Sequence, residues 1–205
     1  PVTKQNLENY KTLYQHSINN PKVYWEGIAK SITWNRPWKA VNTSDFFTGK
    51  IKWFEEAKLN ACYNCLDRHV ESGHGDKPAI IWEGNDQSNN LTLTYEEILE
   101  KVEKFSNVLK NLGVRKGDRI CIYLQMIPEL PISMLSCARI GAIHSVVFGA
   151  FSSESLRDRI NDSKCKILIT QDTALRGMKT DIPMKETADK AITDCPSIEK
   201  TIVVR

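Results

Sequence analysis

The chain holds 205 residues, with 28 Lys and Arg against 25 Asp and Glu, for a formal net charge of +3. So small and dispersed an excess offers no basic face to a nucleic acid or to an anionic membrane. No apolar run reaches the roughly 18 to 20 residues that cross a bilayer, and the opening PVTKQNLENYKTLYQ lacks the charged-then-apolar order of an export signal.

Six cysteines scattered among strand-like and helix-like segments read as buried thiols of a reducing compartment, which predicts the cytoplasm or an organelle matrix. The chain opens on Pro1 rather than Met, as a processed protein or an excised piece would. Residues 1–75 are expected to form an amino-terminal wrapping segment. From Pro1 to about Arg68 it reads as irregular, with Trp25, Trp34, Trp38 and Trp53 and no repeated strand-helix unit. Such tryptophans anchor an extended stretch on a preformed surface through their large apolar area.

The pair Cys62 and Cys65, with His69 and His74 nearby, invites a metal or redox reading. No second Cys pair follows at zinc-ribbon spacing, and Cys62, Cys65, Leu66 and His69 recur at three and four residues like the inner face of a helix. A redox Cys-x-x-Cys opens a helix after a strand, whereas KLNACYNCLDRHV reads as helical throughout. No metal ligand is assigned.

Residues 76–205 are expected to form an α/β subdomain. PAIIW (78–82) and LTLT (91–94) flank the polar EGNDQSNN as a hairpin with a longer loop. Thr94 and Glu97 have capping-box spacing, and Ile98, Leu99, Val102, Phe105, Val108, Leu109 and Leu112 mark one helical face up to Gly113. Strands then alternate with helices: strand 119–124, helix 128–140, strand 142–148, helix 153–161, strand 166–170, helix 184–193, strand 201–204. This alternation predicts a mostly parallel sheet with helices on its faces. The chain stops just after the last strand, so the layered architecture is expected to be incomplete.

Ligands of open α/β sheets gather outside the carboxyl ends of the strands. Two such junctions stand out. At VVFGAFSSESL, Gly149 and Ala150 remove bulk between Phe148 and Phe151 beside a serine-capped helix start; a flat ring or narrow chain fits against such a backbone, and so does a tight turn with core phenylalanines. After KILIT, the stretch Arg176-Gly177-Met178-Lys179 places two cations within four residues in a loop before a helix. That pattern suits a doubly charged phosphate as well as a solvated surface. His144 reads as a satisfied core or sheet-end histidine rather than a base, since no nucleophile motif partners it. Neither G-x-x-x-x-G-K-[ST] nor G-x-G-x-x-G occurs, which disfavours a dinucleotide-binding oxidoreductase domain.

Several stretches, WFEEAKLNACYNCLDRH, KPAIIWEGND, the run from LTYEEILE to SLRDRI, and LITQDTALRGMK, together resemble the amino-terminal region of the acetyl-coenzyme A synthetase family in the adenylate-forming superfamily. NCLDRH and HSVVFGAFSSE point to its short-chain branch. The resemblance implies a two-step acid–thiol ligase: acetate and ATP, with Mg²⁺, form an acyl-adenylate and pyrophosphate, and coenzyme A then displaces AMP.

It further implies that Phe148, Gly149 and Ala150, with Arg176, Gly177, Met178 and Lys179, hold the 3′-phosphate end of coenzyme A. Ala150 departs from the family's usual second glycine. The family's phosphate loop, acyl pocket, adenine motifs and mobile carboxy-terminal domain have no counterpart in these residues, so no catalytic residue is assigned and the piece alone is expected to be inactive. A synthetase for propionate or another short acid, and a non-catalytic binding module, are the alternatives. The expected partners are the small-molecule substrates and the remainder of its own chain.

Overall fold

The computed structural model describes residues 4–205, which divide between Asn60 and Ala61 into two units; Pro1–Thr3 of the wrapping segment lie outside the described residues. The first unit contains helices α1 (Lys4–Asn19) and α2 (Pro21–Ala29) and an antiparallel pair, β1 (Ala40–Asn42) and β2 (Trp53–Glu55). The stretch read as irregular therefore begins with two helices, and Pro21 opens the second with its φ already preset for a first turn. The tryptophans cluster among themselves. Trp34 meets Trp38 edge-on at 5.3 Å, both rings lie 5.4 Å from Phe54, and Trp25 stands 6.3 Å from Trp53.

The second unit starts with two short helices, α3 (Ala61–Cys65) and α4 (Asp67–His69), continued by a π-turn at Val70–His74. Cys62 and Leu66 are buried there as the spacing predicts, but Cys65 is exposed. Leu66 leaves helical geometry at φ −125° and ψ −68°, so the three- and four-residue face is broken between the cysteines and His69.

The hairpin of β3 (Pro78–Trp82) and β4 (Leu91–Thr94) comes next. Helix α5 (Tyr95–Asn111) begins with a full capping box: Glu97 N–H donates to Thr94 Oγ1 at 3.2 Å, and Thr94 N–H to Glu97 Oε2 at 2.8 Å. Val108, expected on its buried face, is 44% exposed, while Ser106 is buried. The small Ser106 lets α6 (Glu129–Ile140) approach: Ser136 Oγ donates to the Val102 carbonyl at 3.1 Å, and Ser106 Oγ to that of Ser136 at 3.4 Å.

β5 (Arg119–Leu124), β6 (Ile143–Phe148), β7 (Ile167–Gln171) and β10 (Lys200–Val204) form a parallel sheet in the order β10-β7-β5-β6. Alternate residues face opposite layers. Ile120, Ile122, Leu124, Ile167 and Ile169 pack with α5 and α6, whereas Cys121, Tyr123, Val147 and Leu168 pack with α7 (Ser153–Ser163) and α8 (Met184–Ile192). Each of these buried aliphatic side chains stabilises the fold by about 1.5 to 3 kcal/mol relative to exposure. A further antiparallel pair, β8 (Ala174–Arg176) and β9 (Lys179–Ile182), projects between β7 and α8. No described helix is long and apolar enough to cross a membrane.

Candidate functional site

The chain leaves β5 toward α6 on one face, but leaves β6 and β7 toward α7 and α8 on the other. Neighbouring strands whose exits diverge open a crevice at their carboxyl ends. The two stretches singled out from the sequence follow β6 and β7, the strands on either side of β5. Two strand spacings, about 10 Å, separate their parent strands.

After β6, Phe148 stands 60% exposed and meets Phe151 edge-on at 5.9 Å; the Arg159 guanidinium lies over the Phe151 ring at 4.5 Å. Ser152 caps α7 by accepting from Ser155 N–H at 3.3 Å. The glycine between them has a different use from the one the sequence suggests. A Cβ on Gly149 would meet the Leu124 carbonyl oxygen at 3.1 Å and Met184 Cε at 3.3 Å. Its missing side chain is filled by the protein's own backbone, and the open surface of the turn belongs to Phe148 and Ala150.

The basic stretch is a hairpin turn rather than a simple loop. Arg176 and Lys179 are direct cross-strand partners of β8 and β9, with Gly177 at φ +58° in the first position of the two-residue turn, where a primed hairpin turn favours glycine. Met178 projects fully into solvent at the tip. Partners of this kind hold their Cβ atoms about 4.5 to 5.5 Å apart, and like charges so placed repel. Among the described residues neither cation has an ion-pair partner. Two like charges paired across a protruding tip are an arrangement that an oxyanion relieves.

Three residues without a sequence signal hold this edge together. Gln125 N–H donates to Gln171 Oε1 at 2.8 Å, Gln125 Oε1 accepts from Leu175 N–H at 3.1 Å, and Gln171 Nε2 donates to the Thr173 carbonyl at 2.8 Å. The pair of glutamines thus stitches the ends of β5 and β7 to the base of the hairpin. The third is Asn85, in the loop between β3 and β4. Its Nδ2 donates to the Gly177 carbonyl at 2.8 Å, and its Oδ1 accepts from Gly177 N–H at 3.0 Å. No periodicity marks these residues, because their partners lie in other elements.

Elsewhere, Cys62 is buried against Arg139, whose Nη1 reaches its sulfur at 3.7 Å and both oxygens of Asp67 at 2.8 and 2.9 Å. Burial pushes the Cys62 thiol above its ordinary value. No three His, Cys, Asp or Glu side chains among the described residues converge to hold a metal ion.

Two protein-family models match the chain: "AMP-binding enzyme" over residues 66–205 and "Acetyl-coenzyme A synthetase N-terminus" over residues 10–65. The acetyl-coenzyme A synthetase of Saccharophagus degradans is 51% identical over 201 residues, covering 98% of this chain and 31% of the relative. That of Rubrobacter xylanophilus is 55% identical over 193 residues, covering 94% and 30%. The chain therefore spans about 30% of the length of these relatives. Among solved structures, the acetoacetyl-CoA synthetase from Streptomyces lividans matches with a TM-score of 0.83 over 95% of this chain and 30% of that one; at 23% identity the likeness is one of fold.

Proposed function

Because the chain belongs to the AMP-binding enzyme family, with an acetyl-coenzyme A synthetase amino-terminal segment ahead of that region, we propose that it is the amino-terminal part of an enzyme that ligates acetate to coenzyme A. In that reaction an acetate oxygen attacks the α-phosphorus of ATP, and pyrophosphate leaves. The thiolate of coenzyme A then attacks the acetyl carbon, and AMP leaves as the C–O bond breaks. In this reading the residues of this chain supply part of the scaffold and part of the coenzyme A site, and perform neither bond-breaking step.

The observation that carries this reading is the opposed pair Arg176 and Lys179, neither with an ion-pair partner among the described residues, together with the exposed turn of Phe148 and Ala150, each following a parallel strand at its carboxyl end. The cations suit the 3′-phosphate of coenzyme A, and the Phe148 ring offers a flat face to the adenine. All six cysteines are free, and five are buried, which supports a reducing compartment such as the cytoplasm. Charge-assisted hydrogen bonds contribute about 1.5 to 3 kcal/mol each, so losing one weakens binding by about one to two decades. In the full-length enzyme, Arg176→Ala is expected to raise the KM for coenzyme A by that factor and to leave the KM values for acetate and ATP nearly unchanged. Equal changes in all three would assign Arg176 to folding instead.

A further inference from the structure

Building on the coenzyme A reading, we infer that Asn85 is a positioning residue for the phosphate of coenzyme A, acting through the peptide groups of Gly177. The side-chain amide of Asn85 engages both the N–H and the C=O of Gly177, at 3.0 and 2.8 Å. One planar group thereby fixes both peptide planes flanking the residue between Arg176 and Met178. The glycine sits at φ +58° and has nothing within 4 Å of where a Cβ would lie, so its local conformation is not enforced by packing. Asn85 supplies the enforcement.

Among the described residues the tip is otherwise held by the pairing of β8 with β9 and, at its base, by the Gln125 bond to Leu175. The mutual repulsion of Arg176 and Lys179 acts to open it. Asn85 is itself presented by a rigid support. Gly84 N–H donates to Asn90 Oδ1 at 2.9 Å, and Asp86 caps the following turn through Ser88 N–H at 2.8 Å. Gly84 is packed so closely that a Cβ there would lie 3.0 Å from the Asp86 carbonyl oxygen and 3.2 Å from Trp82 Cη2. Trp82 Nε1 in turn donates to the Met126 carbonyl at 2.7 Å, anchoring the hairpin to the segment that leaves β5. The cationic tip is thus referenced to the sheet edge twice, through Gln125 from below and through Asn85 from the side.

The test compares Asn85→Ala, Arg176→Ala and the double variant in the full-length enzyme, with coenzyme A and with dephospho-coenzyme A, which lacks the 3′-phosphate. Asn85→Ala is expected to raise the KM for coenzyme A about five- to tenfold while kcat and the KM values for acetate and ATP stay within about twofold. With dephospho-coenzyme A the variant should match the parent. In the Arg176→Ala background, removing Asn85 should add less than about half of its effect alone in free-energy terms, because the two act on one contact. An Asn85→Ala penalty equal for both forms of the thiol, or extending to acetate and ATP, overturns the inference. If Arg176→Ala separates the two thiols and Asn85→Ala does not, only this inference falls; if Arg176→Ala fails to separate them, the coenzyme A reading falls with it.

Discussion

The hydroxyl of Tyr123 donates to the carbonyl oxygen of Phe151 at 2.8 Å, from a side chain only 2% exposed. The bond crosses from β5, one of the two inner strands of the sheet, to the turn that follows the edge strand β6. Burial raises the Tyr123 hydroxyl above its usual value, so it remains a donor into the alkaline range. Removing the oxygen in Tyr123→Phe keeps the ring in the core and strands the Phe151 carbonyl. The expected result is a loss of about 1 kcal/mol, read as a lower urea midpoint. If the proposed coenzyme A reading holds, the full-length enzyme should also show a rise of about two- to threefold in the KM for coenzyme A, as the turn loosens beside Phe148.

Gly149 and Ala150 are adjacent and small, yet they respond oppositely to a methyl group. Gly149→Ala drives a Cβ against the Leu124 carbonyl, and backbone cannot give way as a side-chain end does. Its expected cost is about 1 to 3 kcal/mol. Ala150→Gly, at an exposed position, is expected to change stability by no more than about 1 kcal/mol, through chain entropy alone. Denaturation midpoints of the two variants check the contrast; equal losses would contradict the packing role of Gly149.

Acid sensitivity is expected at the opposite end of the sheet. Arg115 N–H donates to Asp118 Oδ2 at 2.8 Å, and Lys166 Nζ lies 3.5 Å from it. That backbone bond first, and the lysine charge beside it, hold the carboxyl below the ordinary carboxylate range against the opposing effect of burial. A carboxyl whose folded value is lowered stabilises the fold while ionised. Its contribution is complete above its unfolded value of about 3.9 and is lost as pH falls through the folded value. Asp118→Asn keeps an acceptor and removes the charge, so it should cost about 0.5 to 1 kcal/mol at neutral pH, in keeping with a partly solvated group. The gap in urea midpoint between parent and variant should close as pH falls from about 5 toward 3. A gap that persists at the acid end would show that charge is not what Asp118 contributes.

What could be read from the residues depended on how local its cause was. The capping box of Thr94 and Glu97 marks the start of α5 because both partners lie within one turn, and strand 119–124 shows its ends because its neighbours are turn residues. The parallel sheet follows from the strand-helix alternation. By contrast, ALRGMKTDI has no strand pattern, and the hairpin it forms is imposed by Gln125 and Asn85 from distant segments. The first helix was hidden for another reason: the segment from Lys4 to Asn19 is rich in Asn, Ser, Thr and Tyr, residues with little helical preference of their own. At the site, the type and spacing of the two cations were visible, but not that they face each other, which is a property of the pairing register.

The Asn85 clasp joins positions 92 residues apart, so the chain must already be gathered before it can close. Two side-chain bonds at an exposed tip also part easily, without disturbing the ladder beneath. Whatever settles between Arg176 and Lys179 therefore acts on the lifetime of a small surface feature, on a clock separate from that of the sheet supporting it.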